Sequence, residues 1–97
     1  MSFSLSLRPR ALAKAQAAHD LYDAVGHGTS FLDELDSVFE VIQAMPLRFP
    51  IVYGTIHRAL LRRYPFAVFF RIRPGTEHVV VLAVFPQRGD PARWPKL

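Results

Sequence analysis

Two prolines, Pro46 and Pro50, mark a change of hydrophobic period, and that change most constrains what this chain can fold into. Before Pro46 the apolar residues recur every three or four positions; beyond Pro50 they alternate. A period near 3.6 lays an apolar stripe along a helix, and a period of two lays it on one face of a strand. A chain that switches from the first to the second is α+β, with helices leading and a sheet following.

The leading part divides further. Phe3 to Leu7 alternate apolar and serine residues, which predicts a short half-buried strand, and Arg8-Pro9 then gives a turn and a helix start. From about Pro9 to Val25 the chain is alanine-rich, with Leu12, Ala15, Ala18, Tyr22 and Val25 on one face. Gly26 and Gly28 end that helix. Ser30 and Asp33 have the spacing of a capping pair, and Phe31, Leu35, Val38, Ile42 and Met45 repeat at helical steps until Pro46 stops them. The opposite side of this second helix carries Asp33, Glu34, Asp36 and Glu40, expected to face water.

Beyond Pro50, residues Ile51–Tyr64, Phe66–Arg73 and Glu77–Phe85 read as three strands. The turn Pro74-Gly75-Thr76 is short enough to require antiparallel pairing of the last two. The run VVVLAVF is apolar on both faces, the pattern of an interior strand covered on both sides. The expected layout is β-α-α-β-β-β, two amino-terminal helices on a small antiparallel sheet, in one domain spanning 1–97.

Charge is split along the same line. Residues 1–45 carry three basic and six acidic groups, whereas 46–97 carry nine and two, so a net of −3 precedes a net of +7. The basic excess sits within strand-like runs such as RALLRR and FAVFFRIRP, on a folded surface, and points to an anionic partner. With 97 residues and no cysteine, the core is modest and neither disulfides nor thiolate metal sites contribute. No segment approaches the roughly 20 apolar residues needed to cross a bilayer, and MSFSLSLRPR is too short in apolar residues for a secretory leader, so a cytoplasmic protein without membrane association is expected.

Several kinds of chemistry are disfavoured. His19, His27, His57 and His78 lack metal-ligand spacing; no glycine-rich loop precedes a helix; and the serines at 2, 4, 6, 30 and 37 are in no nucleophile elbow. No metal or cofactor is expected. The constellation that remains is Arg58, Arg62, Arg63, Arg71, Arg73, Arg88 and Arg93. Strand alternation puts Arg58 and Arg62 on one face with Ile56, Leu60 and Tyr64, and Arg63 on the other with His57, Ala59 and Leu61. Some of these arginines are expected to cover apolar area and pair with the helical acids. The others suit a concave site for phosphates or carboxylates, since guanidinium donates bidentately to both. Arginine stays protonated, so proton transfer on such a surface would fall to His57, His78, Tyr53, Tyr64 or Lys96.

The run Phe31-Leu32, Glu34-Leu35-Asp36, Ile42, Pro46, Phe49-Pro50 and Val52-Tyr53, then Arg58-Ala59, Arg63-Tyr64-Pro65-Phe66, Val68-Phe69-Phe70-Arg71 and Val81-Leu82-Ala83-Val84, closing with Arg88, Asp90-Pro91 and Trp94, resembles the RelE/ParE family of type II toxin–antitoxin toxins. The resemblance covers nearly everything beyond Asp20. It implies two helices on an antiparallel sheet with a basic concave face, and an acidic antitoxin that folds on binding. RRYPFAVFF is similar to the ParE-like branch, whose members inhibit DNA gyrase; RelE-like members cut mRNA on the ribosome. RelE-like catalysis uses strand lysines and a terminal aromatic acid/base. Here the strands lack lysine and the terminal aromatic is Trp94, so a gyrase inhibitor that binds without catalysis is expected.

On this reading Arg58, Arg62, Arg63, Arg71, Arg88 and Trp94 contact the target or antitoxin. The alternative is a ribosome-dependent endoribonuclease in which His57 or Tyr64 moves the proton. A third reading is a decayed toxin that binds antitoxin only. It follows from His57-Arg58, Pro86 and Gly89 standing where the family often has a second arginine, a histidine and an arginine.

Overall fold

A computed structural model of the chain describes residues 2–87. Strand β1 (Ser4–Leu7) leads into helices α1 (Pro9–Asp23) and α2 (Gly28–Ala44); a short 3-10 turn at Pro46–Arg48 follows, then strands β2 (Ile51–Tyr53), β3 (Ile56–Leu60), β4 (Phe66–Ile72) and β5 (His78–Pro86). The five strands form one sheet in the order β1-β5-β4-β3-β2. The run expected to be one strand from Ile51 to Tyr64 is instead a hairpin and a bend. Gly54, at φ +55°, opens a two-residue turn that folds β2 back on β3, and the strand ends at Leu60. Strands β4 and β5 pair antiparallel as expected, and β2–β3 and β3–β4 do likewise, whereas β1 joins β5 in parallel, so the sheet is mixed and not the antiparallel one expected.

Helix α1 begins at Pro9 as expected but ends at Asp23, short of Val25, and α2 begins at Gly28, ahead of its expected cap. Pro9 opens α1, where its missing N–H costs nothing. Its buried stripe is Ala11, Ala15 and Ala18, with Tyr22 half-buried; Leu12 is 47% and Val25 68% exposed. The alanine stripe lets α1 lie close over β5, a position that a leucine would hold further off. α2 starts at Gly28, so Ser30 lies inside it and makes no cap. Gly28 is required by a close approach, because a Cβ there would sit 2.8 Å from the Cβ of Asp23 and 2.9 Å from Nε2 of His19. Phe31, Leu35 and Ile42 form the buried stripe of α2, while Met45 is 52% exposed.

The helices cover one face of the sheet. Phe31 and Ile42 meet Ala59, Val68, Phe70, Val79, Val81 and Val84 in the main core, where Tyr22, Phe31, Tyr64 and Phe66 form an aromatic group with centroids 4.7–6.2 Å apart. The opposite face carries a second cluster of Ile56, Ala67, Phe69, Val80 and Leu82. A bulge joins the two patterns. Phe69 pairs with Ala83 and Phe70 with Val81, so Leu82 is an extra residue, and Leu82 and Ala83 both pack with the second cluster before Val84 returns to the first. Strand β5 is interior and buried on both sides, as its apolar run predicts. Among the described residues, no helix is long and apolar enough to cross a membrane.

Candidate functional site

The arginines divide between the open face of the sheet and its rim. On β3, Ile56, Arg58 and Leu60 alternate with the inward-facing His57 and Ala59, as period two requires. On β4, Arg71 follows Phe69 on that same open face and is opposite Val80 of β5. Beyond the end of β4, the Arg73 amide donates to the His78 carbonyl at 2.9 Å, which places Arg73 opposite His78. The open face thus carries Arg58, Arg71 and Arg73 in a field of apolar residues. Among the described residues, neither Arg71 nor Arg73 pairs with a carboxylate.

Arg58 is half-buried and lines a pocket of about 80 Å³ with Leu60, Ala67, Phe69, Pro86 and Gln87. Gln87 closes that pocket on one side. Its side-chain amide donates to the carbonyls of Phe66 (2.8 Å) and Leu61 (3.2 Å), and its backbone N–H donates to that of Pro65 (2.8 Å). The pocket thus combines a guanidinium-bearing residue, apolar walls and pinned strand ends.

The rim differs. Past Leu60 the backbone bends, so Arg62 and Arg63 leave the alternation and Tyr64 turns inward; the expected sharing of a face by Arg58, Arg62 and Tyr64 does not occur. Arg62 is exposed. Arg63 is held by α2: its backbone N–H donates to both Glu34 carboxylate oxygens at 3.1 Å, and its Nε lies 3.9 Å from one of them. Glu34 is therefore half-buried and bonded, unlike the wet helix face expected of it.

His57 and Tyr64, the residues named for proton transfer in a nuclease, are not brought to the arginines. His57 is 5% exposed on the helix-covered face, its ring stacked 5.1 Å from Phe70 and its Nδ1 2.8 Å from the Phe49 carbonyl, so it donates there as the Nδ1–H tautomer. Tyr64 is 9% exposed, with Tyr22 and Phe31 against it. Arg88 and Trp94 lie outside the described residues, as do Gly89 and Lys96.

One constellation was not singled out from the sequence. His78 begins β5 with Nδ1 2.6 Å from Ser4 Oγ and Nε2 2.8 Å from Ser6 Oγ, across the β1–β5 pairing. The alternating serines of β1 were visible, but their histidine is more than seventy residues away and only the parallel register unites them. Among the described residues there is no group of histidines and carboxylates that could hold a metal ion.

No protein-family model matches this chain, and no curated protein matches it. Solved structures do. The chain is similar to one from the chromosomal ParDE toxin–antitoxin system of P. aeruginosa, with a TM-score of 0.73 and 18% identity over 90% of this chain and 98% of that one. It is also similar to a chain of the toxin–antitoxin complex RelBE2 from Mycobacterium tuberculosis, with a TM-score of 0.57 and 17% identity over 89% of this chain and 99% of that one. At these identities the likeness is one of fold.

Proposed function

From the premise that this chain has a RelE/ParE-like fold, shared over nearly its whole length with chains of two toxin–antitoxin assemblies, we propose that it is the toxin of a type II toxin–antitoxin module. It acts by binding a macromolecular target, DNA gyrase, and is neutralised by a cognate antitoxin whose acidic segment folds onto it. Arg58 and Arg71 hold anionic groups on the open face. The rim adds Arg62, and the sequence reading also names Arg63, Arg88 and Trp94 as contacts for target or antitoxin. Exposed apolar residues around the edge strand, Leu47 (76%), Ile51 (59%) and Tyr53 (74%), together with Leu60 (48%) beside the Arg58 pocket, give a folding antitoxin segment something to bury.

The observation that carries a binding role is the placement of the proton-transfer candidates. His57 and Tyr64 are in the core on the far side of the sheet from Arg58 and Arg71, and His78, on the open face, has both ring nitrogens engaged by serines; of the other candidates, Tyr53 is exposed on the edge strand β2 and Lys96 lies outside the described residues. Guanidinium groups alone stabilise charge without shuttling protons.

The test is a supercoiling assay with purified toxin and gyrase. Loss of supercoiling or accumulation of cleaved DNA at stoichiometric toxin, reversed by the antitoxin, is the expected result; unaffected gyrase at a large excess rejects this target. Mapping of mRNA ends on translating ribosomes tests the alternative endonuclease, because new codon-specific ends appear only if bonds are cut. Harmless overexpression together with tight antitoxin binding would instead identify a decayed toxin.

A further inference from the structure

We infer that Ser4, Ser6, His78, Arg71 and Arg73 form a proton-gated binding site for a tetrahedral oxyanion at the β1–β5 corner of the open face. The inference does not rest on the toxin reading, since it follows from five side chains and one register.

The gate follows from counting protons. A neutral imidazole has one N–H donor and one bare nitrogen. With serines on both nitrogens, at 2.6 and 2.8 Å, one hydroxyl must donate its hydrogen to the ring while the other accepts. An imidazolium has two donors and no acceptor. Both serine oxygens then accept from the ring, and both hydroxyl hydrogens must turn elsewhere. The other acceptor near Ser4 is the Glu77 carbonyl at 3.4 Å, a long contact that a charged acceptor displaces. Ser4 and Ser6 are exposed, so their hydrogens reach the surface.

The surface they reach is cationic. Arg73 is opposite His78 across the β4–β5 ladder, and Arg71 is one row further along on the same face. Two guanidiniums and an imidazolium repel one another until an anion sits among them, while two hydroxyls aimed outward supply the directed donors that a phosphate or sulfate oxygen takes. Anion and proton therefore assist each other: each binds more tightly when the other is present, by the same factor. The charged groups facing His78 from β4 and the residues just beyond it are Arg71 and Arg73; from β1 only the two serines face it; its chain neighbour just before β5 is Glu77. Both helices lie across the sheet. A fixed cationic patch would bind oxyanions equally at any neutral pH, so the gate is what sets this site apart.

The imidazole resonances of His78, followed by NMR through a pH titration, test this with sodium sulfate against sodium chloride at equal ionic strength. Sulfate stays dianionic throughout. We expect sulfate to bind about tenfold more tightly near pH 5.5 than near pH 7.5, and to raise the His78 titration midpoint by up to about one unit, the linkage equivalent of that ratio. H78Q should remove the pH dependence, and the S4A/S6A double variant should lower acid-side affinity severalfold while its backbone amide spectrum stays folded. R73Q should weaken sulfate at both pH values and leave the gate. Equal responses to sulfate and chloride overturn the inference, as does an undiminished sulfate response in folded S4A/S6A. Short oligonucleotides with and without a 5′-phosphate then separate the sources. Acid-enhanced binding of the phosphorylated one alone assigns the site to a terminal phosphate, and equal weak binding of both assigns it to a small diffusible oxyanion.

Discussion

The two faces of the sheet are built from the same strands, often from adjacent residues, yet they treat polar groups in opposite ways. Among the described residues the helix-covered face buries the imidazole of His57 and ties it to a backbone carbonyl and a phenyl ring. The open face interleaves Arg58, Arg71 and His78 with Phe69, Val80 and Leu82, and among the described residues Arg71 pairs with no helix acid while His78 is held by two serines. The difference teaches that burial alone does not separate fold from function here, because Phe69 at 2% exposure is as buried as most of the core. What separates them is whether polar groups are sealed under the helices, as His57 is, or stand at the surface, as Arg71 and Arg73 do without a described carboxylate partner.

The largest effect expected from breaking this contrast is on the covered side. Phe70 is fully buried, stacked on His57 and edge-on to Phe49 at 5.8 Å. Phe70→Ala should cost about 3–5 kcal/mol in urea unfolding, a large fraction of the stability of a domain of this size. His57→Gln comes next, at about 1–3 kcal/mol, because the Phe49 carbonyl loses a well-placed donor and the stacked ring disappears. Its readout sharpens the comparison: inhibition per folded molecule should stay unchanged. A drop in specific activity beyond the loss of folded protein would return His57 to the active surface.

Arg71→Ala, one residue from Phe70, inverts the pattern. The side chain is half-buried without a described carboxylate partner, so unfolding should shift by less than about 1 kcal/mol. Affinity for antitoxin or target, by isothermal calorimetry, should fall about tenfold, or about 1.4 kcal/mol. Equal losses in folding and binding would make Arg71 a structural cation.

How much of this was legible in the sequence depended on the range of the interaction. Alternation in β3 placed Ile56, Arg58, His57 and Ala59 correctly, because period two is a local property of the backbone. The hairpin at Gly54 was missed although a glycine opens it, since alternating apolar residues continue on both sides and hide the break. In α1 the expected stripe lay one residue off at Leu12. Leucine is the larger apolar group, but close packing on β5 selects Ala11. The parallel partner of β1, the bulge at Leu82 and the Ser4–His78–Ser6 contacts are products of long-range register, and no local pattern encodes them.

The smallest effect is expected at the rim, where the contrast between the faces fades. The Arg63 side chain is 78% exposed and its Nε lies 3.9 Å from Glu34, a surface pair worth less than about 0.5 kcal/mol. The stronger link to Glu34 is made by the Arg63 backbone N–H, which an alanine retains. Arg63→Ala should therefore leave both unfolding and partner affinity nearly unchanged. Glu34→Ala should destabilise more than Arg63→Ala, by about 1 kcal/mol, because it strips the acceptor from that backbone N–H at the bend. If the arginine variant proved the worse of the two for binding while the glutamate variant folded normally, Arg63 would reach past Glu34 to an outside anion. The open face would then extend around the sheet edge into the bend that carries Arg62.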